Sequence, residues 1–490
     1  MTDTVQSPQT LVQRALAGHA AIGLIVGAAM YLICLSGALV VIHERWQRWE
    51  QPQIAETPTI APEAVQRGLE AVLAAQGKPT THLYVHMPTE SLPRTVVTTD
   101  HGASYIDAEG RIVGREAHSF TEFLVNLHIY LHLPMTLGLI IVGALGAMLA
   151  ALCISGVMAH PRIFRDAFRL RPRAHRQLAH GDWHNRLGVW TLPFGLALAL
   201  TGAIIGLALV GAQLIANQHH GGDIEAAYAP IFGDEGKPDP RAAPVADVVP
   251  ALQAMAAGRP DATPTYVTIH DPGTAGQHVA ILADIPRRLI YGETFNFDGA
   301  GRYQGRVGLS DGPLGRQAAA SIYKLHFGSF GGLPVEIAYI AIGLALSVVS
   351  ATGVTLWLVK RRRKGLASPR LEAGWAVIVW GSPILMVATL WLRAVAGPDA
   401  PLVGFFWIAL ALALTAAMAR PFADLPRLLR LALAAMLTAT AIGHALLLGP
   451  MPGEVFAIDL ALAVTAGVLW LASRGGRREV SAIPLAARPA

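Results

Sequence analysis

The sequence predicts a mainly α, polytopic membrane protein with about eight transmembrane helices and two small α+β domains carried on one side. Three observations predict it. Of the 490 residues, 53% are hydrophobic and only 14% are charged, against about 25% charged in an ordinary soluble chain. The apolar residues are gathered into runs near the roughly 20 residues that a bilayer requires. The Lys and Arg residues collect in loops that fall on one side when the runs are counted in order. The small net charge of +5 is therefore a topology signal and implies no nucleic-acid partner. Two cysteines, Cys34 and Cys153, exclude a disulfide framework.

The apolar runs cover 20–42, 134–159, 187–216, 335–359, 374–392, 402–419, 428–449 and 455–473. The first is too long for the core of a signal peptide, so it is read as a retained helix. Basic clusters follow the even-numbered spans: Arg162, Arg165, Arg169, Arg171, Arg173, Arg176 and Arg186 after the second, and Lys360 to Lys364 after the fourth. Arg420, Arg427 and Arg430 follow the sixth, and Arg474, Arg477 and Arg478 the eighth. Both termini are then cytoplasmic. The chain divides into an N-terminus with the first span (1–43), an outer domain (44–127) and a membrane section with a basic loop (128–216). A second outer domain (217–325), a fourth span (326–365) and a four-helix extension (366–490) follow.

Each outer segment carries a helix, at 62–76 or 244–257, and short alternating strands: 82–87, 94–99 and 103–106 in the first, 265–270, 277–283 and 291–297 in the second. Both contain D-x-x-G-R-x-x-G-R, as Asp107, Gly110, Arg111, Gly114, Arg115 and again as Asp298, Gly301, Arg302, Gly305, Arg306. This is an internal repeat. Locally it reads as a hairpin turn.

The spans repeat as well. His19 precedes Ser36-Gly37 as His184 precedes Thr201-Gly202, each histidine lying 18 residues before its glycine. His128 precedes Ser155-Gly156 by 28 residues to the glycine, and His326 precedes Thr352-Gly353 by 27. His19 and His184 begin outward helices and share the cytoplasmic edge; His128 and His326 begin inward helices and share the outer edge. In a four-helix bundle each pair faces across the centre. A haem fits between two imidazoles in such a core, so two b-type haems are expected, one per pair, with Gly37, Gly202, Gly156 and Gly353 letting a flat ring approach. His132, His160 and His43 are alternate ligands without a histidine in the other copy. His444 and Asp459, near the outer face, are expected to satisfy each other.

These motifs, with His184-Asn185-Arg186-Leu187-Gly188 and Leu325-His326-Phe327-Gly328, resemble those of the PepSY-associated transmembrane family over roughly residues 10–365. The resemblance implies PepSY-like periplasmic domains on a bacterial inner-membrane, bis-haem b core. It also implies reduction of a ferric siderophore or other Fe(III) chelate at the periplasmic face, releasing Fe(II). Electrons are expected to pass from the His19/His184 haem to the His128/His326 haem. No Gly-rich nucleotide fingerprint is present, so the donor is expected to be a cytoplasmic flavoprotein or a membrane quinol.

Overall fold

The computed structural model describes residues 10–160, 162–165, 168, 176–232, 239–448 and 453–474. Arg169, Arg171, Arg173, Arg477 and Arg478 lie outside the described residues. The first copy of the repeat runs α1 (Leu11–Val40), α2 (His43–Glu50), α3 (Pro62–Gln76), β1 (His82–His86), β2 (Thr95–Thr99), β3 (Gly102–Ile106), β4 (Ile112–Arg115), α4 (Ser119–Tyr130) and α5 (Met135–Ala159). The second runs α6 (Arg176–Trp190), α7 (Leu192–Gly206), α8 (Ala208–His219), α9 (Ile224–Phe232), α10 (Val249–Gly258), β5 (Thr263–His270), β6 (His278–Asp284), β7 (Glu293–Asp298), β8 (Tyr303–Arg306), α11 (Leu314–Phe327) and α12 (Gly332–Arg363). The extension adds α13 (Pro369–Ala376), a π-helical turn (Val377–Gly381), α14 (Ser382–Ala396), α15 (Leu402–Ala419), α16 (Leu425–Leu448) and α17 (Gly453–Arg474).

Seven continuous helical segments among the described residues are long and apolar enough to cross a membrane: α1, α5, α12, α15, α16, α17 and the run from α13 through the π-helical turn to α14. The eighth expected span, 187–216, is not one helix. It is a pair, Ala179–Trp190 and Leu192–Gly206, bent by 69°. The break has a local cause: Pro193 at the start of α7 has no N–H to continue the ladder, and Thr191 turns its hydroxyl back to the Leu187 carbonyl at 2.7 Å. Counting the bent pair as one span restores eight. The protein is thus mainly helical and polytopic.

α1 starts nine residues earlier than the hydropathy suggests, because Thr10 and Gln13 form a reciprocal capping box. Its 30 residues span about 45 Å at 1.5 Å each, so the helix projects beyond a hydrocarbon core. In the bundle α1 packs between α5 and α12, α7 against α5, and α6 against α12.

The two outer segments fold as one sheet, where two separate units are expected from the sequence. Eight strands run in the order β4-β3-β2-β1-β5-β6-β7-β8, all neighbours antiparallel. β1 and β5 join the copies in the register Leu83↔Ile269, Val85↔Val267. Both strands alternate, and their shared buried face, with Val97, Val279 and Ile281, packs on α3 and α10. Pairing removes two strand edges that would otherwise carry unpaired backbone groups. Each copy has a fourth strand not expected from sequence, because β4 and β8 are four residues long with Gly114 and Gly305 inside them. The repeated motif forms the β3–β4 and β7–β8 turns. Asp107 accepts from Arg111 N at 2.8 Å and Asp298 from Arg302 N at 2.9 Å. Gly110 and Gly301 adopt φ 83° and 76°, which side chains avoid.

The extension is fastened to the core at the sheet end. The buried Glu50 carboxylate caps α4, accepting from Phe120 N and Thr121 N at 3.0 Å each, and pairs with Arg393 at 2.9 Å. Asp459 accepts from Trp49 Nε1 at 2.9 Å and meets His444 Nδ1 at 2.9 Å, while His444 Nε2 meets the Trp49 carbonyl at 2.9 Å. His444 and Asp459 therefore satisfy each other as expected, and both nitrogens of His444 are taken.

Removing one member of a buried ion pair strands the other. Glu50→Ala is expected to destabilise the fold by about 3 kcal/mol, read as a lowered thermal midpoint of the detergent-purified protein.

Candidate functional site

The four repeat-related histidines come together as two pairs. His128 and His326 have ring centres 6.2 Å apart, with planes inclined by 20°. His19 and His184 have ring centres 6.1 Å apart, inclined by 79°. The first pair lies at the sheet end of the bundle and the second at the opposite end. The helices that carry them differ from expectation. His128 and His326 do not begin the membrane helices α5 and α12; they end the separate short helices α4 and α11. These helices close on left-handed residues, Leu131 and Gly328, before Pro134 and the Gly331-Gly332 turn restart the chain. His19 and His184 lie well inside α1 and α6 rather than at their starts.

Each ring is seated in a notch on a neighbouring helix. A Cβ added to Gly37 would lie 2.7 Å from His128 Cε1, and one on Gly202 would lie 2.9 Å from His326 Cε1. The distances are 3.3 Å for Gly156 against His19 and 3.1 Å for Gly353 against His184. The missing side chains thus make room for imidazoles of the same copy, a role distinct from direct contact with a flat cofactor. The carbonyl four residues before each glycine addresses Nδ1: Ile33 to His128 at 3.0 Å, Leu152 to His19 at 3.2 Å and Val349 to His184 at 2.9 Å. His326 is likewise hydrogen-bonded to the Leu198 backbone. Hydroxyls preceding three of the glycines add to this, with Ser155 at 3.1 Å from His19, Thr352 at 3.3 Å from His184 and Thr201 at 2.9 Å from His326. Ser36 instead returns its hydroxyl to the Leu32 carbonyl.

A carbonyl can only accept, so Nδ1 carries the proton and the Nε2 lone pair is left available. Two imidazoles that share one metal through Nε2, at about 2 Å per bond, have centres roughly 6 Å apart. Both pairs have that separation. Among the described residues no group of three or more His, Cys, Asp and Glu is disposed around a metal. Each pair therefore offers two imidazoles with Nε2 lone pairs and, among the described residues, no third side chain of these types beside them.

The pairs fall within residues 16–360, which match the model of the PepSY-associated TM region. The chain belongs to that family. Uncharacterized protein PA4219 of Pseudomonas aeruginosa is similar to it, 30% identical over 274 residues that span 51% of this chain and 66% of that protein. This PepSY-associated TM region protein continues past the matched residues into α13–α17.

The alternate ligands do not join either pair. His132 stacks on Phe123 with ring centres 4.8 Å apart. His160 caps α5, its N–H donating to the Val157 carbonyl at 3.3 Å. His43 starts α2 and is exposed. The Nδ1 acceptors are absent from a reading of side chains, since backbone carbonyls have no residue signature. The Ser or Thr before every notch glycine is the signal that points to them.

In histidine-labelled protein without cofactor, ¹⁵N spectra are expected to show δ-protonated rings for all four residues. Single His→Asn variants assign each signal, and an ε-protonated ring at any of them would contradict the hydrogen bonds described.

Proposed function

We propose that the protein is a b-type di-haem oxidoreductase of the bacterial inner membrane, with His19 and His184 as axial ligands of one haem and His128 and His326 of the other. The observation that carries this reading is the pair separation of 6.1 and 6.2 Å, together with Nε2 lone pairs freed by the Nδ1 hydrogen bonds. Haem bound at the two levels would carry single electrons between the membrane faces and on to an Fe(III) chelate at the sheet side. The chain's own part is positional. The glycine notches set each ring's depth, and the carbonyls set its tautomer and rotation, as outer-shell partners do at metal sites.

With the basic loops cytoplasmic, the sheet is periplasmic and the His128/His326 pair lies beneath it, within reach of a chelate that does not cross the membrane. Reduction releases the metal because hard oxygen ligands hold Fe(II) less tightly than Fe(III). The 16–360 family match supports the core of this reading; substrate and electron direction are the proposal's own. A purely anchoring role for the helices, with the sheet binding a protein partner, leaves four notched imidazoles without a purpose.

The purified protein is expected to give a reduced-minus-oxidised haem b spectrum and two haems per chain by pyridine haemochrome assay. His128→Ala and His326→Ala each remove one haem and leave the same spectral component; His19→Ala and His184→Ala leave the other. Gly37→Leu fills the notch and is expected to behave as His128→Ala does. Full haem content in the His128→Ala plus His184→Ala double variant would refute the ligand assignment. In inverted membrane vesicles with the ferric siderophore enclosed in the lumen, a loaded protein that never transfers electrons to it would refute the substrate class.

A further inference from the structure

A cleft of about 360 Å³ opens between α4 and the turn from α14 to α15, lined by Ser119, Glu122, Phe123, Asn126, His132 and residues 400–404. Its volume lies at the small end of the range for ligand pockets. One wall belongs to the helix that carries His128. The other belongs to the extension beyond residue 360, outside the family match.

The cleft's chemistry is specific. His132 Nε2 is buried and has no hydrogen-bond partner, and neither has Ser119 Oγ. A buried polar atom left unpaired costs about 1–3 kcal/mol, so a partner that reached either one would be stabilised. Leu131 and His132 both adopt φ 55°, a left-handed conformation that costs non-glycine residues roughly 1–2 kcal/mol each. That turn lays the imidazole flat on Phe123 and sets His132 in the wall of the cleft. Burial pushes the His132 imidazolium down to about 4, against a hydrogen bond to the Phe123 backbone, so the ring is neutral near pH 7. The exposed Glu122 carboxylate is a second acceptor on the same helix face, and Asn126 and Ser119 can donate.

We infer that this cleft binds the headgroup of a membrane quinol. A flat ring with two hydroxyls fits a neutral imidazole acceptor, a carboxylate acceptor and an aromatic platform, and its oxidised form, with two carbonyls, fits the donors Asn126 and Ser119. The mouth explains the tail. Gly404, Ile408 and Leu412 follow at intervals of four on the exposed face of α15, a lipid-facing track with no side chain at its upper end. A soluble chelate has no use for such a track. The inference rests on the proposed function for its purpose, since it names a class of redox partner at the His128/His326 level and gives the C-terminal helices a role; the binding itself requires no haem.

The test uses full-length protein in quinone-free phosphatidylcholine nanodiscs, titrated with the fluorescent quinol analogue 2-heptyl-4-hydroxyquinoline N-oxide. Saturable quenching at one site per chain is expected, weakened about tenfold or more by His132→Ala, which removes the acceptor, and by Gly404→Trp, which blocks the mouth. His101→Ala, on the sheet, leaves it unchanged. Haem content and thermal midpoint of each sample identify a variant that has misfolded, and His132→Gln and Glu122→Gln then serve in its place. Wild-type affinity in folded His132→Ala or Gly404→Trp protein overturns the site. Haem present without quenching also overturns it and leaves the haem reading standing; quenching without haem does the reverse.

Discussion

The membrane core depends on one local interaction, a histidine ring set into a glycine notch with its Nδ1 held by the carbonyl one helical turn earlier. The spacing follows from the helix itself. Residues four apart lie on one face, so a carbonyl at one position and a bare Cα four residues later form a recess with an acceptor at its rim. The recess occurs four times, at Gly37, Gly156, Gly202 and Gly353. Each fixes the depth, rotation and tautomer of one imidazole, and the bundle then only has to bring two recesses opposite each other. It does so at two levels because α1 contributes a notch near one end and a histidine near the other, an arrangement that the second copy repeats.

Above the bundle, the shared sheet holds the copies in register. β1 and β5 join with no break, and the buried Arg45–Glu336 ion pair at 2.8 Å ties the helix after α1 to α12 near its start. The outer pair of histidines hangs from this assembly through α4 and α11, whose ends are fixed by left-handed caps. Small shifts of the sheet would therefore move His128 and His326 together.

Much of this was legible in the sequence because periodicity and duplication are carried by side chains. Hydropathy marked the spans, the Arg and Lys bias marked one side, and the identical Asp-Gly-Arg spacing marked the two turns. The four histidines and four glycines stood out through their repetition. What was not legible is what backbone and tertiary packing decide. Pro193 was visible, yet the 69° break it helps to make depends on where α6 packs. The union of two sheets into one depends on β1 meeting β5, which no local pattern encodes. The short helices α4 and α11 end just before the apolar runs at 134 and 335 begin, and their histidines read as part of the spans that follow because the breaks between them depend on backbone turns.

The strand order reads the same from either edge, with β1 and β5 at its centre. One copy alone would leave one edge of β1 or β5 unpaired and each imidazole without an opposite. The architecture is that of a twofold dimer written into one polypeptide, and this frees the halves to differ. One copy keeps an unbroken α1 where the other breaks between α6 and α7, and at the sheet end Glu50 and Trp49 of the first copy are gripped by Arg393 and Asp459 of the extension. Asymmetry of this kind is closed to two identical chains. It gives the two flanks of a symmetric core separate surfaces, so that one flank can evolve without the other.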